Sequence, residues 1–360
     1  MESLIADALR NSAAQKTSSA GAHAEMKVNP IRISVVGCGG AGTNTVNRLE
    51  AMGLESAYTI AINTDANHLR MVNAKKKMLI GANMTKGLGA GGFPEVGRKC
   101  AEQARDQIAK AIDGSELVFI TAGMGGGTGT GTAPVVAQIA KEQGAIAVGI
   151  VTFPFALERA RMDKADWGLE ALAETCDTVV IIDNNRLVSY VPNLPMNQAF
   201  AVADTLVAKA VKGIADTIML PSLVNIDFAD VRAILGNAGM AMISVGEASG
   251  RDRVQNAIKN TLEHPLLDVE YGGSKGCLLH VSGGDQLSLG DVTAVGEGIT
   301  EAFDAKANVI WGARVNPALG DKIVVTSIIT GVHSPQVIGR EMVAPKAQQE
   351  YNLGISQINY

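Results

Sequence analysis

From residue 31 the chain alternates short apolar runs with longer segments whose apolar residues return every three to four positions. Runs at 31–36, 58–63, 78–80, 117–121 and 145–152 are bounded by turn residues and too short for buried helices, so each predicts a strand. Helical spacing occupies 43–52, 94–112 and a segment opening near Pro134. Strands alternating with helices predict an α/β fold, a parallel sheet wrapped on both faces. Ligands of such sheets sit at the carboxyl ends of the strands.

Residues 196–219 carry one long helical pattern, with Ala199, Val202, Ala203, Leu206, Ala210, Ile214 and Ile218 at helical spacing. Both of its faces are fairly apolar, as in a helix buried between two domains, and Pro221 should end it. Strand-like runs resume at 240–245, 276–281, 308–315 and 322–332, with helical runs at 251–263 and 289–303. The expected organisation is a flexible tail over 1–29 and a domain over 30–220 that includes the long helix. A smaller α/β domain over 221–333 and a second flexible tail over 334–360 complete it.

Composition narrows the function. The 360 residues are 47% apolar, enough for a sizeable core, and the net charge of −5 with no basic stretch argues against a nucleic-acid partner. The four cysteines form no CxxC pair and the five histidines no HxxxH, so a metal site in the protein is not expected. No apolar run approaches the ~18 residues of a membrane span, and no signal peptide opens the chain, so a cytoplasmic protein without direct membrane insertion is expected.

Glycine, 40 residues in all, clusters in three places. These are 37–44 (GCGGAGTN), 87–92 (GLGAGG) and 123–131 (GMGGGTGTG), each beside a predicted helix start. A helix N-terminus offers unpaired N–H groups and partial positive charge, and glycine lets the backbone approach an anion. Three such loops in one sheet suggest a polyphosphate held from several sides. The first also fits GxGxxG with Asp65 some twenty residues on, the dinucleotide fingerprint of a Rossmann NAD oxidoreductase. A second seven-residue glycine cradle is not needed there, and no catalytic His or Tyr–Lys pair stands out. The P-loop GxxxxGK[ST] is absent.

The run GGGTGTG at 125–131 resembles the tubulin signature, and similarity extends over roughly 31–332. Residues 37–44 resemble the first phosphate loop of the FtsZ family of tubulin-like division GTPases, Asn63-Thr64-Asp65 its second nucleotide loop, and 225–230 (NIDFAD) its catalytic loop. The polar C-terminus with its short apolar set is more similar to archaeal members. The resemblance implies that Gly39, Gly40, Ala41, Gly42, Thr43 and Asn44 hold phosphate and sugar, with Asp65, Ala90, Gly91, Gly92, Gly125 and Gly126 completing the nucleotide loops. Gly127, Thr128 and Gly129 would wrap the β- and γ-phosphates, and Gly127→Ser should push a side chain into nucleotide space with the fold intact. Glu158 would face the ribose with Arg161 or Arg159 near the nucleotide, Arg161 being preferred. Asn184 and Asp204 would read the guanine edge, and Phe200 would stack on the ring. Asp227 and Asp230, supported by Asn225, would orient the attacking water, and Mg2+ would ride mainly on the phosphates of GTP.

A helix of 20–24 residues spans roughly 30–36 Å, so the guanine site and the acidic loop should stand at opposite poles of one subunit. The resemblance therefore implies a GTPase that polymerises head to tail, each active site completed by the next subunit, as the scaffold of the division ring at mid-cell. A tubulin-like filament for shape or partition is the alternative. Leu353, Ile355 and Ile358 in the tail could bind a membrane-tethering adaptor such as SepF.

Overall fold

In the computed structural model residues 31–186, 193–236, 238–263, 271–301 and 303–332 are described. Both expected tails, with Leu353, Ile355 and Ile358, lie outside the described residues.

Strand β1 (Ile33–Cys38) is buried along its whole length, which demands cover on both faces and neighbours on both edges. It pairs in parallel with β2 (Tyr58–Asn63) on one side and β4 (Leu117–Gly123) on the other. With β3 (Lys76–Leu79), β5 (Ile146–Phe153) and β6 (Thr178–Asp183) it forms a parallel sheet of order β3-β2-β1-β4-β5-β6. Chain direction across the sheet reverses between β1 and β4, the switch point where doubly wound sheets open a crevice. Strand β7 (Gly239–Ala248) joins β6 through two residue pairs only, Thr178 with Gly239 and Val179 with Met240. Beyond it β10 (Ile323–Thr330) runs antiparallel to both β7 and β8 (Gly276–Gly283), and β9 (Asn308–Val315) closes the edge parallel to β8. Ten strands are thus counted among the described residues.

The helices before the long one are α1 (Gly39–Ala51), α2 (Ala66–Met71), α3 (Ala82–Thr85), α4 (Pro94–Gln103), α5 (Arg105–Ile112), α6 (Thr128–Glu142) and α7 (Arg159–Thr175). After them come α8 (Met196–Met219), α9 (Phe228–Leu235), α10 (Arg253–Leu262) and α11 (Leu289–Thr300). One core cluster joins Val36, Ile60, Ile120 and Val136 in the first half, and a second joins Leu279, Val295, Ile299 and Val325 in the second half. Helix α8 packs on α1 on one side and on β7 and β10 on the other. Its Val207, Val211 and Ile214 are buried, each stabilising the fold by roughly 1.5–3 kcal/mol. No helix among the described residues is long and apolar enough to cross a membrane.

The expected elements are present, with informative differences. Helix α6 begins at Thr128, so Pro134 lies inside it, and α1 begins at Gly39 rather than Thr43. Glycine disfavours helix, but close packing overrides that preference here. A β-carbon on Gly131 would stand 2.1 Å from the Pro94 carbonyl oxygen, and one on Gly97 2.4 Å from that of Gly127. Only glycine lets α4 and α6 approach so closely. The helix expected over 94–112 breaks at Ala104 (φ −96°, ψ 9°), although its buried stripe of Cys100, Ala104 and Ile108 runs on through the break. Helix α7 carries no strong pattern because only Ala165, Gly168 and Leu172 of its 17 residues are buried.

Candidate functional site

At the switch point β1 runs into α1 and β4 runs, through the glycines after Gly123, into α6. The two helix N-termini nearly touch: a β-carbon on Gly39 would stand 2.6 Å from the Gly129 nitrogen. Cys38 and Gly127, the N-cap residues, make no side-chain cap bond. Among the described α-helices side-chain caps are confined to α2, α9 and α11, on Asp65, Asp227 and Ser288. Two uncapped N-termini converging on one crevice concentrate N–H donors and partial positive charge where an anion would lie.

A cavity of about 720 Å³ opens over them, within the range of small-molecule sites. Ten of the expected nucleotide residues line it: Gly40, Ala41, Gly126, Gly127, Thr128, Gly129, Glu158, Arg161, Asn184 and Phe200. Arg161 forms a close ion pair with Glu158, while Arg159 is exposed and outside the lining. Phe200 meets Phe155 edge to face, with centroids 5.7 Å apart. That leaves a half-exposed ring at the cavity's far end, the kind of platform on which a base stacks.

The other ten stand behind or beside this lining. Thr43 Oγ donates to the Gly39 carbonyl at 2.7 Å, so its hydroxyl serves its own helix. Gly39 and Gly42 are packing contacts, Gly42 against the Thr121 carbonyl. Gly125 adopts φ +88° against the start of α7, and Asn44 is exposed. Asp65 accepts from the N–H groups of Asn67 and His68 through Oδ1 and so caps α2. Ala90, Gly91 and Gly92 form the loop on which Gly127 rests, and Lys164 Nζ donates to the Gly92 carbonyl at 2.7 Å.

That placement corrects the expectation for Gly127→Ser. A β-carbon there meets Ala90 Cβ and Phe93 N at 2.8 Å, not open cavity. Among the glycines that line the cavity, those whose added β-carbon meets nothing within 4 Å are Gly40 and Gly126.

Asp204 lies one turn beyond Phe200, against α1. Burial raises its pKa to about 6, while Arg48 and the Thr45 hydroxyl pull it down. Sequence reasoning missed Phe155, Thr152 and Met124, which share the lining; Thr64 of the second nucleotide loop stands behind it, its Oγ 2.6 Å from Thr128 Oγ. Their signal was available, since each sits at or just beyond the carboxyl end of a strand.

The acidic residues lie elsewhere. Asn225, Asp227 and Asp230 follow the C-terminal end of α8, whereas Phe200 is near its start. At ~1.5 Å per residue the two ends of this 24-residue helix are about 36 Å apart. Asp230 belongs to the first turn of α9, a helix not anticipated, and its N–H donates to the Asp227 carboxylate at 2.9 Å. Asn225 Oδ1 accepts from the Ser222 N–H at 2.8 Å. Asn225 and Asp227 are exposed and Asp230 is half-buried, so the structure brings the three together facing solvent.

Comparison with known proteins gives this arrangement a family. The family model described as "Tubulin/FtsZ family, GTPase domain" matches residues 32–192, and "FtsZ family, C-terminal domain" matches 239–333. The two matches fall on either side of α8. Cell division protein FtsZ 2 of Methanocaldococcus jannaschii is 57% identical over 326 residues, covering 89% of this chain and 86% of that protein. Cell division protein FtsZ 2 of Halobacterium salinarum is 49% identical over 352 residues, covering 97% and 90%. The solved FtsZ dimer of M. jannaschii superposes with a TM-score of 0.80 at 46% identity, covering 85% of this chain and 90% of that one. The CetZ2 protofilament structure from Haloferax volcanii, 21% identical with a TM-score of 0.73 and covering 86% and 96%, shares the fold. Both family models match in order, and relatives about half-identical match over most of their length: the chain belongs to the FtsZ family of tubulin-like GTPases.

Proposed function

We propose that this GTPase assembles head to tail into filaments that scaffold cell division, and that each active site is completed by the neighbouring subunit. The observation that carries this reading is the separation of the cavity from the acidic loop by the length of α8. A carboxylate at one pole cannot reach a nucleotide at the other, but it can reach one held by a stacked neighbour. Exposed apolar side chains stand at both poles: Leu88, Phe93 and Leu157 around the cavity, Leu223, Val224 and Trp311 around the loop. Such a contact is heterologous and does not close, so it propagates a filament. The relatives' names, cell division proteins, support the cellular role.

In this reading the first-turn N–H groups of α1 and α6 hold the phosphates. Phe200 stacks on guanine, Asn184 and Asp204 bond its edge, and Glu158 and Arg161 hold the sugar side. The neighbour's Asp227 and Asp230 align a water with the γ-phosphorus. The water oxygen bonds to phosphorus, the bond to the β–γ bridging oxygen breaks, GDP leaves, and the water's proton passes to a carboxylate. Among the described residues no three His, Cys, Asp or Glu side chains gather as a metal site. Magnesium, held mainly by phosphate oxygens and water, would neutralise charge between the β- and γ-phosphates.

A membrane adaptor such as SepF, engaging the C-terminal tail, would place the filament at mid-cell beneath the membrane. Deleting 351–360 should then delocalise the protein and leave GTPase activity intact. The shared site is tested by mixing two inactive variants. Asp230→Ala keeps the pocket and loses the loop; Gly40→Val/Gly126→Val fills the cavity and keeps the loop. The mixture should turn over GTP when neither variant does alone, and a mixture as inactive as its parts contradicts the reading.

A further inference from the structure

The last turn of α8 leaves carbonyl groups without helical partners, and the acidic loop begins only a few residues later. One side chain gathers both. From β9 the Arg314 guanidinium reaches back across the end of α8. Its Nη2 donates to the Leu220 carbonyl at 3.0 Å and, at 2.6 Å, to the Asp216 carbonyl, which also accepts the Leu220 N–H, and its Nε donates to the Pro221 carbonyl at 3.2 Å. Both nitrogens also reach Ser222 Oγ, at 3.2 and 3.3 Å. A planar fork with several fixed donors can hold such a set; a lysine cannot. Positive charge at a helix C-terminus is favourable in its own right.

Ser222 passes the constraint on. Its N–H bonds Asn225 Oδ1, and its Oγ lies 3.4 Å from Nε2 of His280, which is buried on β8. Nδ1 of His280 lies 3.3 Å from Ser282 Oγ. Burial, with Arg314 adding to it, pushes the His280 pKa down to about 4, so the ring is neutral at physiological pH and stands beside the guanidinium without opposing charge. Next to Arg314, Ala313 pairs with Val224. The segment between α8 and Asp227 is therefore fixed to β8 and β9. From the other side Asp216 is gripped by Ser56 Oγ at 2.6 Å and by Lys212 Nζ at 3.1 Å.

The geometry points to Arg314 as a positioning residue for GTP hydrolysis: it locks the end of α8 to Ser222, and through Ser222 and Asn225 it sets where Asp227 and Asp230 meet a neighbour's nucleotide. The inference rests on the shared-site reading and adds to it the residue that aims the loop.

The test is a kcat-against-KM comparison followed by mixing. Arg314→Ala in the full chain should bind GTP within about twofold of the parent and co-sediment with it in filaments, while kcat falls about 10- to 100-fold, as for a misplaced catalytic group. Arg314→Lys should recover part of the loss, and Ser222→Ala should show a smaller loss of the same kind. Arg314→Ala mixed with Gly40→Val/Gly126→Val should regain turnover, because the second variant supplies an intact loop. Mixed with Asp230→Ala it should regain none, because both lesions lie on one face. Turnover in that last mixture above that of Arg314→Ala alone, loss of GTP binding, exclusion of Arg314→Ala from filaments, or parental kcat in Arg314→Ala would overturn the inference. Failure of the shared-site reading shows separately, as an inactive mixture of Asp230→Ala with Gly40→Val/Gly126→Val.

Discussion

The two ends of α8 are built from different materials. At the cavity end the geometry is made of backbone: uncapped helix starts, and glycines so tightly placed that most have no room for a methyl group. At the loop end it is made of side chains: the Arg314 fork, the Ser222–Asn225 bond and the Asp227 cap. Backbone N–H groups are fixed donors, suited to holding an anion that is always charged. Carboxylates on a short helix start can be aimed at a water and can accept a proton. Lesions at the first end should therefore cost binding or folding, and lesions at the second should cost turnover.

The largest contrast is expected from Asp230→Ala. It should lower kcat about 100-fold or more, in the range of a lost acid–base group, with GTP binding and assembly retained. Parallel loss of binding would erase the distinction between the ends. Next comes a pair of glycines in one signature. Gly126→Val points into open cavity and should weaken GTP binding about tenfold or more while the melting temperature holds. Gly131→Ala, whose β-carbon would lie 2.1 Å from the Pro94 carbonyl oxygen, should instead destabilise the fold by about 1–3 kcal/mol. Nucleotide titration and thermal melts of both variants read the two effects apart; equal behaviour would mean that the signature has one role throughout.

Asp204 gives a smaller, pH-dependent effect. In the proposed reading its carboxylate form would accept from guanine N1–H and the amino group, so GTP affinity should fall as pH drops below about 6, and binding near that pH should release a proton. The empty protein moves the opposite way. A carboxyl raised from 3.8 to about 6 by burial favours the protonated fold, so this contribution is full below 3.8 and is lost as pH rises through about 6. Calorimetry in buffers of different ionisation heat measures the proton release. Asp204→Ala should abolish it and reduce the preference for GTP over ATP several-fold.

Much of this was legible in the sequence, for reasons particular residues show. The strand at 58–63 and the helix at 196–219 match their expected bounds because a short, mostly apolar run and a period-3.6 pattern each run unbroken to a turn residue or Pro221. The glycine clusters located the crevice, but composition could not separate a glycine facing ligand from one facing a neighbouring helix. Gly126 and Gly131 look alike until Pro94 and α4 are placed beside them. Asp65 matched a motif while serving as a cap, a role that depends on α2, which no pattern marked. Arg314 lies some 90 residues from the carbonyls it binds, and no local pattern could connect them.

The separation of pocket from loop has one decisive readout. GTPase rate per subunit should be near zero at low protein concentration and rise steeply above a threshold that coincides with filament formation by light scattering. Turnover that is independent of concentration, in protein shown to be monomeric by sedimentation, would contradict a site completed between subunits.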